Sequence, residues 1–186
     1  MKKALLLSFL FGIILLSSCQ KDPQEKLCDG VICDNGGDCV NGACDCPPQW
    51  TGPSCSQEVN PIKMMVTSIS LTDFPPTDTG GAGWDLLDGP DVFLAIYKNG
   101  ALLHETGYVE DLTTPFEWTV NFEFSDPTAT YSISVLDYDD GITADDFMGG
   151  INFTPYKSGQ KFPTSYPITC VGCDVAFNFN GVIYFH

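Results

Sequence analysis

The chain has 186 residues, 8 Lys+Arg against 24 Asp+Glu, a formal charge of −16 and no arginine. Binding to DNA or RNA needs a basic face that displaces counterions from phosphate, so this composition excludes nucleic-acid partners. Charged residues make up 17% of the chain against 44% apolar and 12% aromatic, which describes a packed core rather than a solvated, disordered polymer.

At the amino terminus, Lys2-Lys3 precede an apolar run from Ala4 to Leu16 and then Ser17-Ser18-Cys19. A positive start, a short apolar stretch and small residues before a cut are the parts of a secretory signal, and the run is too short to span a bilayer with ease. The ending Leu16-Ser17-Ser18-Cys19 resembles the bacterial lipoprotein signal. That resemblance implies removal of residues 1–18, a diacylglycerol thioether on Cys19 and an acylated first residue of the mature protein. Gln20 stands where aspartate would mark inner-membrane retention, so the resemblance further implies the outer membrane, with display at the cell surface left open. Several acyl chains together anchor firmly, whereas one binds a bilayer only marginally. Setting Cys19 aside leaves eight of the nine cysteines, an even number, as full pairing in an oxidising compartment requires. Residues 19–27 then read as a polar tether.

Six cysteines follow at positions 28, 33, 39, 44, 46 and 55. So small a segment buries too little apolar surface to fold without staples. Zinc is the rival explanation, but its sites are often completed by histidine and none precedes His104, so disulfides are expected. Spacing alone does not choose among the pairings. The order of these cysteines, closing on Cys44-Asp45-Cys46-Pro47-Pro48-Gln49-Trp50-Thr51-Gly52-Pro53-Ser54-Cys55, resembles an epidermal-growth-factor-like (EGF-like) domain over residues 28–55. The resemblance implies the pairs Cys28–Cys39, Cys33–Cys44 and Cys46–Cys55. Gly36-Gly37 and Asn41-Gly42 supply turn residues for tight loops and a central hairpin. Gln24-Glu25-Lys26-Leu27 departs from the calcium-binding form of the family, so no metal is assigned here. A spacer or a protein-interaction unit is the expected role.

After a short linker, residues 56–60, the composition changes. Residues 61–186 carry two cysteines and many aromatics. Strands are expected at Met64–Leu71, Val92–Tyr97, Ala101–Glu105, Phe116–Phe124, Thr130–Leu136, Phe147–Phe153, Val175–Asn178 and Val182–Phe185, separated by Gly, Pro, Asn and Asp. Trp118, Val120, Phe122 and Phe124 alternate with polar residues and would share one buried face. No segment has helical periodicity. The expected fold is therefore all-β, an eight-stranded antiparallel sandwich behind a small disulfide-rich module.

Eight of the 24 acidic residues crowd two loops: Asp85, Asp88 and Asp91 before one strand, and Asp137, Asp139, Asp140, Asp145 and Asp146 after another. Crowded carboxylates repel one another unless a cation neutralises them, and oxygen-only ligands on loops suit calcium. An EF-hand fails in detail, because Gly141 comes one residue early and Met148 occupies the place of the bidentate glutamate. The clusters instead resemble the calcium loops of the C2 domain family, a calcium-dependent lipid-binding family with an eight-stranded sandwich. Asp85 and Asp91 match its first pair, and Asp137, Asp139 and Asp146 its second set. The second loop is one residue longer than the common form, so Asp145 stands as substitute or supplement for Asp146, with Asp88 and Asp140 as additional carboxylates. What the resemblance implies is Ca²⁺ bound between the loops, with Leu86, Leu87 and Ile142 as apolar tips that contact a membrane. The lysine-rich strand that some members use for phosphoinositides is lacking, since Phe116–Phe124 carries only acids.

Two functions are therefore expected in competition. One is calcium-dependent attachment to a phospholipid membrane or a surface ligand. The other is structural or adhesive, with calcium only rigidifying the loops while the two modules bind protein or glycan. Catalysis is not expected, because His104 and His186 are the only histidines and neither lies in a nucleophile or zinc motif. Cys170-Val171-Gly172-Cys173 lies between strands rather than before a helix, which favours a local disulfide over a redox motif.

Overall fold

The computed structural model describes residues 26–85, 89–113, 115–139, 144–169 and 174–185. Cys19, Leu86, Leu87, Asp88, Asp140, Ile142, Cys170 and Cys173, all singled out above, lie outside the described residues.

The first module is held by covalent links rather than by a core. Cys28–Cys39, Cys33–Cys44 and Cys46–Cys55 are the three disulfides, the pairing the family resemblance implies. β1 (Asp38–Val40) and β2 (Ala43–Asp45) form a hairpin around Asn41-Gly42. Both turn residues have positive φ, 52° and 85°, the conformation that a two-residue turn of this hand requires and that Asn and Gly tolerate. β3 (Trp50–Thr51) pairs with β4 (Gln57–Glu58), so the segment read as a linker carries the last strand of this small ladder.

The remaining strands are β5 (Lys63–Asp73), β6 (Val92–Lys98), β7 (Ala101–Glu105), β8 (Phe116–Phe124), β9 (Tyr131–Asp137), β10 (Asp146–Phe153), β11 (Ser165–Ile168) and β12 (Ala176–Tyr184). They form two four-stranded antiparallel sheets, ordered β10-β9-β6-β7 and β11-β12-β5-β8. Apolar side chains of both sheets meet in one core, in which Phe124 of β8 meets Tyr131 of β9 at 4.6 Å and Phe153 of β10 stacks on Phe179 of β12 at 5.2 Å between ring centroids. This is the all-β, eight-stranded sandwich expected from the alternation of β8, where Trp118 and Phe124 are buried and Glu117, Thr119, Asn121 and Glu123 are exposed.

Two strands differ from expectation. Val175–Asn178 and Val182–Phe185 are parts of one strand, β12, because Asn180-Gly181 is a bulge and not a turn. A Cβ on Gly181 would lie 2.2 Å from the Met65 carbonyl oxygen, so the close approach of β12 to β5 depends on glycine there. The eighth strand is instead β11, a short edge strand containing Pro167, which the hydrophobic pattern did not reveal.

Candidate functional site

The strand register brings the acidic segments to one end of the sandwich. Asp137, the last residue of β9, is opposite Val92 of β6 on one side and Asp146 of β10 on the other. Asp91 immediately precedes β6 and is tied to this point twice: its N–H donates to Asp137 Oδ1 at 2.6 Å, and its carbonyl accepts the N–H of Tyr138 at 2.9 Å. Asp139 follows two residues later, and its N–H donates to Asp145 Oδ1 at 3.3 Å.

Asp137 is the unusual member. Its side chain is 1% exposed and its second carboxylate oxygen, Oδ2, has no hydrogen-bond partner. Burial pushes its pKa up to about 6 from 3.8; the Asp91 N–H opposes this, while the charges of Asp85, Asp139 and Asp91 add to it. Three of the expected ligands therefore act electrostatically on a fourth, Asp137. A buried carboxylate oxygen without a donor, subject to the charges of three other carboxylates, is a group whose cost a divalent cation would relieve. Among the described residues, no group of three or more His, Cys, Asp or Glu side chains already stands in a metal-holding arrangement.

A third segment, not singled out in the sequence, runs between the two acidic loops. After β7 the chain forms a bridge in which Val92 and Val109 exchange backbone hydrogen bonds at 3.0 and 2.9 Å. Asp111 then donates its N–H to Asp91 Oδ1 at 3.1 Å and accepts the Gly89 N–H on its own Oδ1 at 3.1 Å. Leu112, 5% exposed, donates to the Pro90 carbonyl at 2.8 Å and is anchored in the core. Tyr108 stacks on Tyr138 at 4.6 Å with 8° between ring planes, joining this segment to the second acidic loop. The only sequence signal was the pair Glu110-Asp111, which lacks the repeated carboxylate spacing of the other two loops. Beside the acidic end lies a cleft of about 300 Å³ bounded by Phe74, Trp84, Pro90 and Leu112, with the Trp84 indole N–H donating to the Pro75 carbonyl at 2.8 Å.

His104 lies on β7 against Phe122, the rings stacked at 4.5 Å. Burial holds its imidazole below the ordinary value despite the Glu105 charge, and Nε2 is covered without a partner.

The opposite end of the sandwich receives the disulfide module. Glu58 of β4 accepts hydrogen bonds from the Tyr156 hydroxyl, from Ser158 Oγ at 2.8 Å and from the Gly159 N–H at 2.7 Å. Trp50 meets Phe162 edge to face at 6.0 Å, and Phe162 in turn stacks on Tyr156 and abuts Phe185.

The architecture is therefore an EGF-like module docked on an antiparallel β-sandwich whose far end gathers carboxylates. Residues 28–55 match the family model described as EGF-like domain. Among curated proteins, human cubilin is 47% identical over 45 residues, covering 22% of this chain and 1% of its own length. The mouse cadherin EGF LAG seven-pass G-type receptor 2 is 43% identical over 53 residues, covering 25% of this chain and 2% of its own length. The chain thus spans about one-hundredth to one-fiftieth of the length of these animal relatives. Among solved structures, one described as the structure of a C2 domain aligns with a TM-score of 0.47 and 16% identity over 66% of this chain and 97% of its own. Human GIVD cytosolic phospholipase A2 aligns with a TM-score of 0.48 and 15% identity over 68% of this chain and 18% of its own.

Proposed function

We propose that this protein is a non-enzymatic, lipid-anchored protein of the outer membrane or cell surface that binds Ca²⁺ at the acidic end of its sandwich and thereby attaches to a phospholipid membrane or a surface ligand. The observation that carries the cation is the Asp137 carboxylate, buried with one oxygen unpartnered and facing the charges of Asp85, Asp91 and Asp139. Asp85, Asp91, Asp137 and Asp139 would hold the ion, with Asp145 or Asp146 completing the set; Asp88 and Asp140 are further candidates from the sequence alone. Bound Ca²⁺ would supply positive charge that offsets the repulsion and open coordination positions for an anionic ligand. The anchor is carried by Leu16-Ser17-Ser18-Cys19, and the apolar Leu86, Leu87 and Ile142 between the acidic residues support insertion into a bilayer.

A second reading has its own observation. Glu58, Trp50 and Phe162 tie the modules together, which favours a rigid adhesive unit in which calcium only stiffens the loops. Calorimetric titration of residues 20–186 with CaCl₂, followed by sedimentation with anionic phospholipid vesicles, separates the readings. Heat with calcium-dependent pelleting supports attachment. Heat and a calcium-dependent melting shift without pelleting support the adhesive reading, and the absence of both heat and shift removes the cation site.

A further inference from the structure

The β7–β8 segment contributes to the acidic end through backbone groups more than through charge. Asp111 has φ of +53°, a left-handed conformation uncommon outside glycine, asparagine and aspartate. In that conformation its N–H reaches Asp91 Oδ1 while its own Oδ1 receives the Gly89 N–H, both at 3.1 Å. The two backbones approach so closely that a Cβ on Gly89 would lie 3.2 Å from Cα and the carbonyl carbon of Asp111. On either side, the Val92–Val109 bridge and the Leu112 N–H to the Pro90 carbonyl hold the two antiparallel segments together.

We infer that Asp111 is a positioning residue of the cation site: it fixes the turn Gly89-Pro90-Asp91 and aims the Asp91 carboxylate, without ligating the ion itself. This rests on the cation-binding reading above. Asp91 has two carboxylate oxygens; one accepts from the Asp111 N–H, a bond that restricts rotation of the carboxylate about its own axis. The same residue is held through its N–H by Asp137, so Asp111 and Asp137 grip Asp91 from two elements. Groups that orient a metal ligand from behind typically change affinity by about tenfold or more when removed.

Two substitutions in the full chain separate positioning from ligation. Asp111→Asn keeps the Oδ1 acceptor and the tolerance for positive φ but removes the charge. Asp111→Gly keeps the backbone conformation but removes the acceptor. Calcium affinity is measured by calorimetry, and hydrogen exchange at the Gly89 amide is measured in calcium-free protein. The expected result is an Asp111→Asn affinity within about twofold of the parent, an Asp111→Gly affinity about tenfold weaker, and faster Gly89 exchange only in the glycine variant. Equal losses in both variants would make Asp111 a charged ligand and overturn the inference. An unchanged affinity or an unchanged Gly89 exchange rate in Asp111→Gly overturns it as well. Failure of the parent to bind calcium removes the cation reading, and Gly89 exchange then still reports on the brace.

Discussion

The hydroxyl of Tyr156 donates to the carboxylate of Glu58 across the boundary between the disulfide module and the sandwich. Tyr156 is 1% exposed, so Glu58 provides the acceptor for a phenol that water does not reach freely. Burial and the neighbouring carboxylate raise the phenol's pKa well above the tyrosine range.

Replacing Glu58 by alanine leaves that phenol without its acceptor and frees Ser158 and Gly159, an expected loss of about 1–3 kcal/mol. Differential scanning calorimetry measures it, and limited proteolysis near residues 56–62 should accelerate in the variant. Unchanged cleavage and melting would show that the aromatic contacts alone hold the junction.

The same carboxylate makes docking sensitive to acid. Burial works against the Glu58 charge, but the hydrogen bonds from Tyr156, Ser158 and Gly159 outweigh it and hold the carboxyl below its ordinary value. The folded value is thus below the unfolded one, so the stabilisation is fully present above the ordinary carboxylate range and is lost as the pH falls through the folded value. Tyr156 and Phe162 resonances followed by NMR on acidification should shift together, and Glu58→Gln should abolish that titration.

Asp137 acts with the opposite sign. In cation-free protein its folded value of about 6 exceeds the unfolded 3.8, so the native state binds more protons between the two. Its contribution to stability therefore falls as the pH rises from about 4 to about 6 and stays low above that, by on the order of 1–3 kcal/mol. Asp137→Asn retains an Oδ1 acceptor for the Asp91 N–H and should melt higher than the parent at pH 7 without calcium. In the proposed reading it should also lose the stabilisation that added calcium gives the parent. Melting curves with and without chelator, at pH 4.5 and pH 7, test both statements.

Gly181 offers a test of the fold apart from any ligand. Its missing Cβ faces the Met65 carbonyl at 2.2 Å, a backbone atom that does not swing aside. Gly181→Ala should lower stability by about 1–3 kcal/mol through separation of β12 from β5. Chemical denaturation checks this, and a neutral result would mean that the bulge at Asn180-Gly181 moves freely.

Much of the sandwich was legible because β8 alternates without interruption from Trp118 to Phe124 and because β6 is a continuous apolar run, a pattern fixed by burial on one or both faces. Asn180-Gly181 misled because the dipeptide serves turns and bulges alike, and only the proximity of Met65 decides between them. β11 was invisible because an edge strand with Pro167 and exposed Ser165 has little hydrophobic signal. The crowding of Asp85, Asp91, Asp137 and Asp139 was visible as repeated aspartates in two segments, whereas the contact of Asp111 with Asp91 runs through an N–H and a positive φ, neither of which leaves a compositional trace. Glu58 and Phe162 escaped for a related reason: their partners lie far away in sequence, and nothing local marks them as joined.

The register of β5 has a consequence for reach. Its first residue, Lys63, pairs with Tyr184 beside the disulfide module, while its far end, at Thr72 and Asp73, borders the cleft next to Pro90 and Leu112. The eleven residues of the strand span those two poles, roughly 33 Å at the usual rise. A protein tethered through its amino terminus and standing on that module would hold its carboxylates outward, facing whatever approaches from across the gap rather than the surface that carries it.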